Sequence, residues 1–484
     1  MALAGALALA ACASGARKPD LRLPPAYEAP AGTMTLAPGM LERWWTVFAD
    51  PELDALEDEA LRLSPDAKTQ AARLGEAGAN RLSAIFQTGP AGDLTGAASR
   101  KHTTQIGGTV NPLFPVGGPS IDENLDFKVS WEIDFLGGLR TARQVANADF
   151  AATRFNTESA RASLVANVAD SYFQVRGLAI QLDDARESVR IEEELLRITT
   201  IKADRGLGPR ADADRVAGDL AQAKSTAESL TAELHAARRL LLILAGRGVE
   251  PVENVAAEAS VPDPPPLPAA VPGDLLVRRP DVREADWRLR AAALRTKLAR
   301  EQLFPNLVLQ PATGLSRSVA PGVEVVPTAS SASFFPSQVS QATAFWSYGV
   351  GLTTPVLDIP RLLEDAKAQS ARTEQAVIAY EKAVQDAYGD AENALVRLAA
   401  DERRVVILVD GEARARRASE AARIGYVAGV NDLTAALQAE GSWRNVRAAL
   451  TAERVQAVRR AVQAYKALGG GWNYAGERPA PRTP

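Results

Sequence analysis

The sequence predicts a mainly helical chain with a smaller share of two-faced β-strand, built twice from one unit: a strand hairpin plus a long helical hairpin. Three observations predict it. Ordered identities recur at a nearly constant displacement. Pro65-Asp66, Arg73-Leu74, Ala77 and Pro90 return as Pro280-Asp281, Arg288-Leu289, Ala292 and Pro305, displaced by 215, while Gly206 and Gly246 return as Gly429 and Gly469, displaced by 223. A drift of a few residues is what one loop insertion leaves in a duplicated unit. The second observation is a pair of long proline-free stretches, Pro119 to Pro209 and Pro360 to Pro479. The third is two segments in which apolar and polar residues alternate with period two.

Composition agrees. Aromatic residues are 6% and charged residues 24% of 484, a balance that suits long packed helices better than a mixed enzyme core. With 55 basic against 59 acidic residues and a net charge of −4, there is no field for holding nucleic acid. One cysteine, Cys12, excludes an intrachain disulfide and a multi-cysteine metal site. It ends an apolar Ala/Leu/Gly run, and Leu9-Ala10-Ala11-Cys12 resembles the lipobox at which a bacterial signal peptidase cuts and a diacylglycerol joins the thiol. Residues 1–11 are accordingly expected to be a signal peptide. A positive n-region should precede its apolar run and none does, so the natural start is expected upstream of Met1.

From Cys12 to about residue 40, Pro19, Pro24, Pro25, Pro30 and Pro38 disfavour helix, and the segment reads as an extended tether from the lipid. The first repeat, residues 41–250, opens with apolar residues at three and four from Pro51 to about Phe86, which predicts one amphipathic helix. Its counterpart in the second repeat, residues 274–472, is Pro280 to Leu303. Then the period changes: Leu125, Phe127, Val129, Trp131 and Ile133 alternate with Asp126, Lys128, Ser130, Glu132 and Asp134. All the apolar side chains fall on one face. Trp346, Tyr348, Val350 and Leu352 repeat the pattern. Upstream partners are expected over 94–110 and 306–318.

A helix from about Thr141 to Asp204 would run about 95 Å and must pack beside others; Leu164, Val168, Tyr172, Val175, Leu178, Leu182, Ala185 and Val189 supply a near-heptad seam. Gly206 suits a left-handed helix end and Pro209 the first residue of the returning helix, which makes Arg205-Gly206-Leu207-Gly208-Pro209 a helical hairpin. Tyr426 to Asp432 is the second, with Asn431 or Asp432 as cap. Between the repeats, 251–273 is a proline-rich linker, and 473–484 is expected to be a disordered tail.

No run of about 18 apolar residues suggests a transmembrane helix. The alternating segments do have the length of a tilted bilayer strand, about 9–11 residues, with an oily outside bearing Phe127, Val129, Trp131, Trp346, Tyr348 and Val350 and a wet inside. An ordinary antiparallel sheet with one wet face explains any single segment equally well. Two strand hairpins cannot span a bilayer with open edges, so a spanning form needs a barrel shared among two, three or four copies.

The residues then carry a resemblance over nearly the whole chain. The lipobox, Trp44-Trp45 with Phe48 and Asp50-Pro51, Ser130-Trp131-Glu132-Ile133-Asp134, Leu276-Val277-Arg278-Arg279-Pro280-Asp281-Val282, Leu303-Phe304-Pro305 and Tyr465 to Trp472 resemble the TolC-like outer-membrane efflux proteins. Within these the chain is most similar to the NodT/OprM-type lipoproteins of resistance-nodulation-division pumps. The resemblance implies a homotrimer in the bacterial outer membrane, with a 12-stranded β-barrel continued by a 12-helix α-barrel across the periplasm. It implies docking through the helical hairpins to a periplasmic membrane-fusion adaptor on an inner-membrane pump, a diacylglyceryl and palmitoyl anchor at Cys12, and no cofactor, metal or catalytic residue.

The chain departs from the family at the strand-to-helix corners, Asp134-Phe135-Leu136-Gly137-Gly138 and Leu357-Asp358-Ile359-Pro360-Arg361, whose glycines and proline still suit a turn. It also departs at the second hairpin, where Asn431 stands in place of a carboxylate and Asp432 follows. Threefold symmetry would gather three such hairpins near one axis, which makes Asp432, with Asn431 and Tyr426, the expected periplasmic gate; a plain helix cap explains Asp432 as well. Arg205, Gly206, Leu207 and Gly208, with Gly425, Gly429 and Val430, are the expected adaptor contacts, since glycine at a tip permits close approach.

Other classes fit less. His102 and His235, the only histidines, fall in a Gly/Ser-rich stretch and in a helical run beside Glu233, which offers no catalytic constellation. A lipid-anchored periplasmic scaffold or adaptor would share the hairpins but has no use for tryptophan-bearing alternating strands. A type I secretion duct would share the whole architecture. Cargo, whether drug, metal ion or metabolite, stays open.

Overall fold

The computed structural model describes residues 17–29, 40–104, 106–107, 118–327 and 332–472; Cys12, its lipobox and residues 473–484 lie outside them. In chain order the elements are α1 (Pro51–Leu63), α2 (Pro65–Phe86), β1 (Ala91–Thr103), β2 (Gly118–Ile133), α3 (Gly138–Asp204) and α4 (Arg210–Leu244). The second half gives α5 (Leu275–Arg278), α6 (Pro280–Glu301), β3 (Asn306–Leu309), β4 (Ala312–Pro327), β5 (Ala332–Ser347), β6 (Val350–Thr353), α7 (Ile359–Val427) and α8 (Leu433–Ala467). No helix among the described residues is long and apolar enough to cross a membrane.

One compact unit holds residues 78–150 and 289–375. Its sheet is antiparallel, with β2 between β1 and the β3/β4 row, and with β5 and β6 outside that row. A continuous strand expected over Trp346–Thr353 is instead two, β5 and β6, interrupted at Tyr348-Gly349. The β3/β4 row breaks opposite, at Gln310-Pro311. Pairing survives both breaks: Gln310 and Gly349 exchange backbone hydrogen bonds at 2.8 and 3.2 Å, and Val129 N–H reaches the Pro311 carbonyl at 2.9 Å. Proline has no N–H for the ladder, so the row is interrupted at it and resumes beyond. Below the sheet, Asp134 accepts from the backbone N–H of Leu139 and Arg140 at 3.1 and 2.9 Å, and Gly137 takes a φ of +88°. The Asp-Phe-Leu-Gly-Gly corner therefore turns and caps α3 in one step.

The other unit holds the described residues of 17–77, 151–288 and 376–472. The single helix expected from Pro51 to Phe86 is broken at Ser64, whose ψ of 134° is what a following proline imposes. Arg279 before Pro280 behaves alike, with ψ 120°. Each break receives the end of a helix. After α4, Gly246 has a φ of +81°, and a Cβ there would lie 2.6 Å from the Leu63 carbonyl; after α8, Gly469 has a φ of +85°, and a Cβ would lie 2.7 Å from the Arg278 carbonyl oxygen. Only glycine combines that backbone with that approach. The paired glycines of the sequence are thus one junction built twice.

Six residues of the expected seam, Leu164, Val168, Tyr172, Val175, Leu178 and Leu182, are buried in one core with Trp44, Trp45 and Tyr465; Ala185 and Val189, further along, are only half-buried. Trp44 stacks on Tyr465 at 5.5 Å between ring centroids. Gly177, inside α3, lets α8 close in: a Cβ there would meet Val455 Cγ2 at 2.6 Å. The proline-rich 251–273 stretch is packed down rather than loose. Tyr465 Oη donates to the Pro266 carbonyl at 2.9 Å, and Arg176 Nε to the Ser260 carbonyl at 2.6 Å. Of the expected tether, residues 17–29 lie along α7. Glu381 and Glu392 accept the backbone N–H of Asp20, Glu28 and Ala29, and Tyr27 stacks on Tyr388.

Candidate functional site

In an antiparallel pair, residues opposite each other share a face. The register therefore sets Leu94, Phe127, Thr313 and Trp346 in one row, and Gly96, Leu125, Leu315 and Ala344 in the next. Phe127 is 44% exposed, Trp131 45%, Trp346 76%, Tyr348 76% and Val350 63%; Val129 is half-buried. Trp346 and Tyr348 stack at 6.1 Å. Leu94 and Leu315 are equally bare, and only the register, not their local pattern, reveals that they belong to this face. The apolar face ends at a charged row, where Arg317 and Glu123 approach to 3.7 Å. From Leu125 to Ile133 is about 27 Å of strand, close to the apolar band of about 25 Å on outer-membrane barrels once tilt is allowed.

The opposite face is polar. Ser318 Oγ donates to Asp122 at 2.8 Å, Asn124 donates to Asp126 at 3.0 Å, and Lys101 lies 3.5 Å from Asp122. Phe345 breaks the pattern, on the polar face beside Trp346 on the other. Its partner across the ladder is Gly314, whose missing Cβ leaves room for the ring: a Cβ would sit 2.6 Å from Phe345 Cε1. Both long edges, β1 and β5, are unpaired among the described residues.

The two helical tips are the same structure. After α3, Gly206 has a φ of +67°, Leu207 N–H returns to the Lys202 carbonyl at 2.8 Å and Gly206 N–H to Ala203 at 3.0 Å. After α7, Gly429 has a φ of +77°, Val430 N–H returns to Gly425 at 2.8 Å and Gly429 N–H to Tyr426 at 3.2 Å. Each is a Schellman end with glycine at the left-handed position. Arg205 and Gly206 are exposed, Gly208 is half-buried, and Leu207 and Val430 are 73% and 81% exposed. Pro209 precedes α4 as its cap residue instead of opening it. Gly425 makes room for Asn431, whose Nδ2 occupies the space a Cβ would need.

Asp432 is exposed and caps α8, its Oδ1 accepting from Ala435 N–H at 2.7 Å. Tyr426 is not a polar neighbour beside it. It is buried with Leu195, Val216, Leu433 and Leu437, because its ring lies on the side of α7 that faces the other helices. Lys202 covers it, with Nζ 3.8 Å from the ring centroid and bonded to the Tyr426 carbonyl at 3.0 Å. That lysine ties one tip to the other, and no sequence signal singled it out.

The two most distinctive motifs prove to be internal fastenings. Arg279 pairs with Asp281 and Asp390 at 2.6 and 3.2 Å. In Leu468-Gly469-Gly470-Gly471-Trp472, Gly471 N–H bonds the Leu41 carbonyl at 2.8 Å and Trp472 Nε1 the Arg278 carbonyl at 2.7 Å. No cluster of metal-ligating side chains occurs among the described residues.

A sheet oily on one face and wet on the other, joined in sequence to paired long helices, defines a subunit of an outer-membrane channel. The chain belongs to the outer membrane efflux protein family, whose model matches residues 56–247 and 271–470. It is 27% identical over 433 residues to the pyoverdine export outer membrane protein OpmQ of Pseudomonas aeruginosa, covering 89% of this chain and 88% of that one. It is 24% identical over 474 residues to nodulation protein T of Rhizobium leguminosarum bv. trifolii, covering 96% of both. Among solved structures, the outer-membrane channel OprN superposes with a TM-score of 0.76 at 25% identity, covering 94% of this chain and 99% of that one. The two matched stretches correspond to the two repeats, and the chain is an efflux channel of the outer membrane, not an enzyme.

Proposed function

We propose that three copies of this chain form the exit duct of a tripartite efflux system, passing small molecules from an inner-membrane pump, through a periplasmic adaptor, to the exterior. The observation that carries this is the sheet: one exposed apolar face, one polar face and two open edges. Backbone groups on those edges have no partner in hydrocarbon, so the sheet is stable there only when copies join edge to edge. Three copies of four strand positions give a closed twelve-stranded barrel with the apolar face to lipid. Reconstitution in a planar bilayer tests it: the detergent-purified oligomer should conduct ions and shift to monomer mobility on heating. A protein that stays monomeric without detergent and carries no current refutes the proposal.

Several roles follow from the same reading. Cys12 carries the lipid anchor, and metabolic labelling with palmitate should be lost in Cys12→Ser. The Arg205–Gly208 and Gly425–Val430 tips, most exposed at Leu207 and Val430, meet the adaptor. Crosslinks to a co-expressed adaptor are expected from Leu207→Cys and Val430→Cys, and not from Arg186→Cys on the flank of α3. Asp432 and Asn431 narrow the closed pore, with Tyr426 and Lys202 holding the turn from behind.

A further inference from the structure

Away from the tips and the sheet, the helical unit contains a cavity of about 690 Å³ where α3, α7 and α8 flank the Arg279–Pro280 junction. Its wall carries Arg279, Arg397, Arg459, Arg460 and Lys466 against Asp170, Asp281 and Asp390, five cations facing three carboxylates. Those carboxylates are already committed. Asp281 and Asp390 hold Arg279, and Asp170 grips Arg459 with both oxygens at 2.8 and 2.9 Å. Lys466 and Arg397 make no hydrogen bond or ion pair among the described residues.

Lys466 is the informative member. It is half-buried, and burial first, then the neighbouring Arg279 guanidinium, push its ammonium below the ordinary lysine range, with Asp281 and Asp390 opposing but not cancelling the shift. A cation withdrawn from water beside a second cation is unfavourable unless an anion offsets it. Ser163, Asn393 and Gln463 add neutral polar groups to the same wall. The volume lies within the range of roughly 300–1,000 Å³ typical of small-molecule pockets, more room than a lone inorganic ion needs.

We infer that this cavity is an anion site that takes a small solute bearing carboxylate or phosphoryl groups, with Lys466 and Arg397 as its free cations. The inference concerns the folded chain and stands apart from the duct reading. Isothermal titration calorimetry on the full-length detergent-purified protein, with citrate and with inorganic phosphate as probes, tests it. Saturable binding of at least one probe is expected, weakened tenfold or more in Lys466→Gln/Arg397→Gln. A preference for citrate marks a carboxylate ligand, and a preference for phosphate a phosphoryl one. Arg397→Gln alone, at an exposed position, should weaken binding severalfold with the oligomer and its melting temperature unchanged. Absence of saturable binding of both probes to the wild type, or equal binding by all variants, overturns the site even if the protein conducts normally in a bilayer.

Discussion

Asp432 shows how one side chain can serve two ends. It supplies the α8 cap, so Asp432→Ala should lower stability by about 1 kcal/mol, read as a fall in melting temperature. If it also narrows the pore, closed-state conductance should rise; Asp432→Ser, which keeps a capping oxygen without the charge, should restore the melt and leave the conductance high. Gly429 and Gly469 offer a sharper contrast. Both are left-handed, but a Cβ at Gly429 would meet nothing within 4 Å, whereas at Gly469 it would strike the Arg278 carbonyl. Gly429→Ala should therefore cost only the backbone strain, about 1–2 kcal/mol, and Gly469→Ala distinctly more in the same thermal melt. Both glycines were legible from their matched positions in the repeats. The collision that separates them was not, since it depends on a carbonyl nearly two hundred residues away.

At the level of the helices, burial of acidic groups between α3 and α8 links stability to pH. Glu440 is buried near Glu192, and both lie by Arg444, which reaches Glu192 at 2.9 Å. Burial lifts the Glu440 carboxyl to about 7, with Arg444 opposing. A carboxyl raised in the folded state keeps its proton where the unfolded one has lost it, so this group makes stability fall as pH rises from about 4.5 to about 7. Melting temperatures taken from pH 5 to pH 8 should decline through that window, and Glu440→Gln should flatten the decline by an amount on the order of 2 kcal/mol. The long helices, their glycine ends and the Trp131 strand could be read from period and punctuation. β5 could not: its Ser340–Thr343 portion is small and polar, and Phe345 sits out of phase because Gly314 receives it. The break at Ser64 was readable from Pro65, had the apolar spacing that runs through it not masked it.

For the molecule as a whole, the two bare sheet edges are the strongest demand on assembly. Trp346 is the most exposed tryptophan of the apolar face, and Trp346→Lys there should cost about 2–4 kcal/mol if it faces the bilayer core. The expected readout is loss of the heat-modifiable oligomer; unchanged migration would place the residue outside hydrocarbon. The sequence implied closure but not the copy number, because edges are counted only once strands are paired. The anion cavity was equally hidden, being assembled from helices whose charges each read as ordinary solvated faces.

The bond from Gly471 N–H to the Leu41 carbonyl, with Trp44 laid on Tyr465 and Trp472 on Arg278, has a consequence for how the fold closes. Two of these three ties join residues more than four hundred positions apart, so the central knot of the helical unit cannot close until the final turn is in place. A chain ending before Tyr465 would carry every strand and both helical tips, yet lack the ring stacked on Trp44 and the bond to Leu41. Loss of the final turn therefore unlocks the opening one.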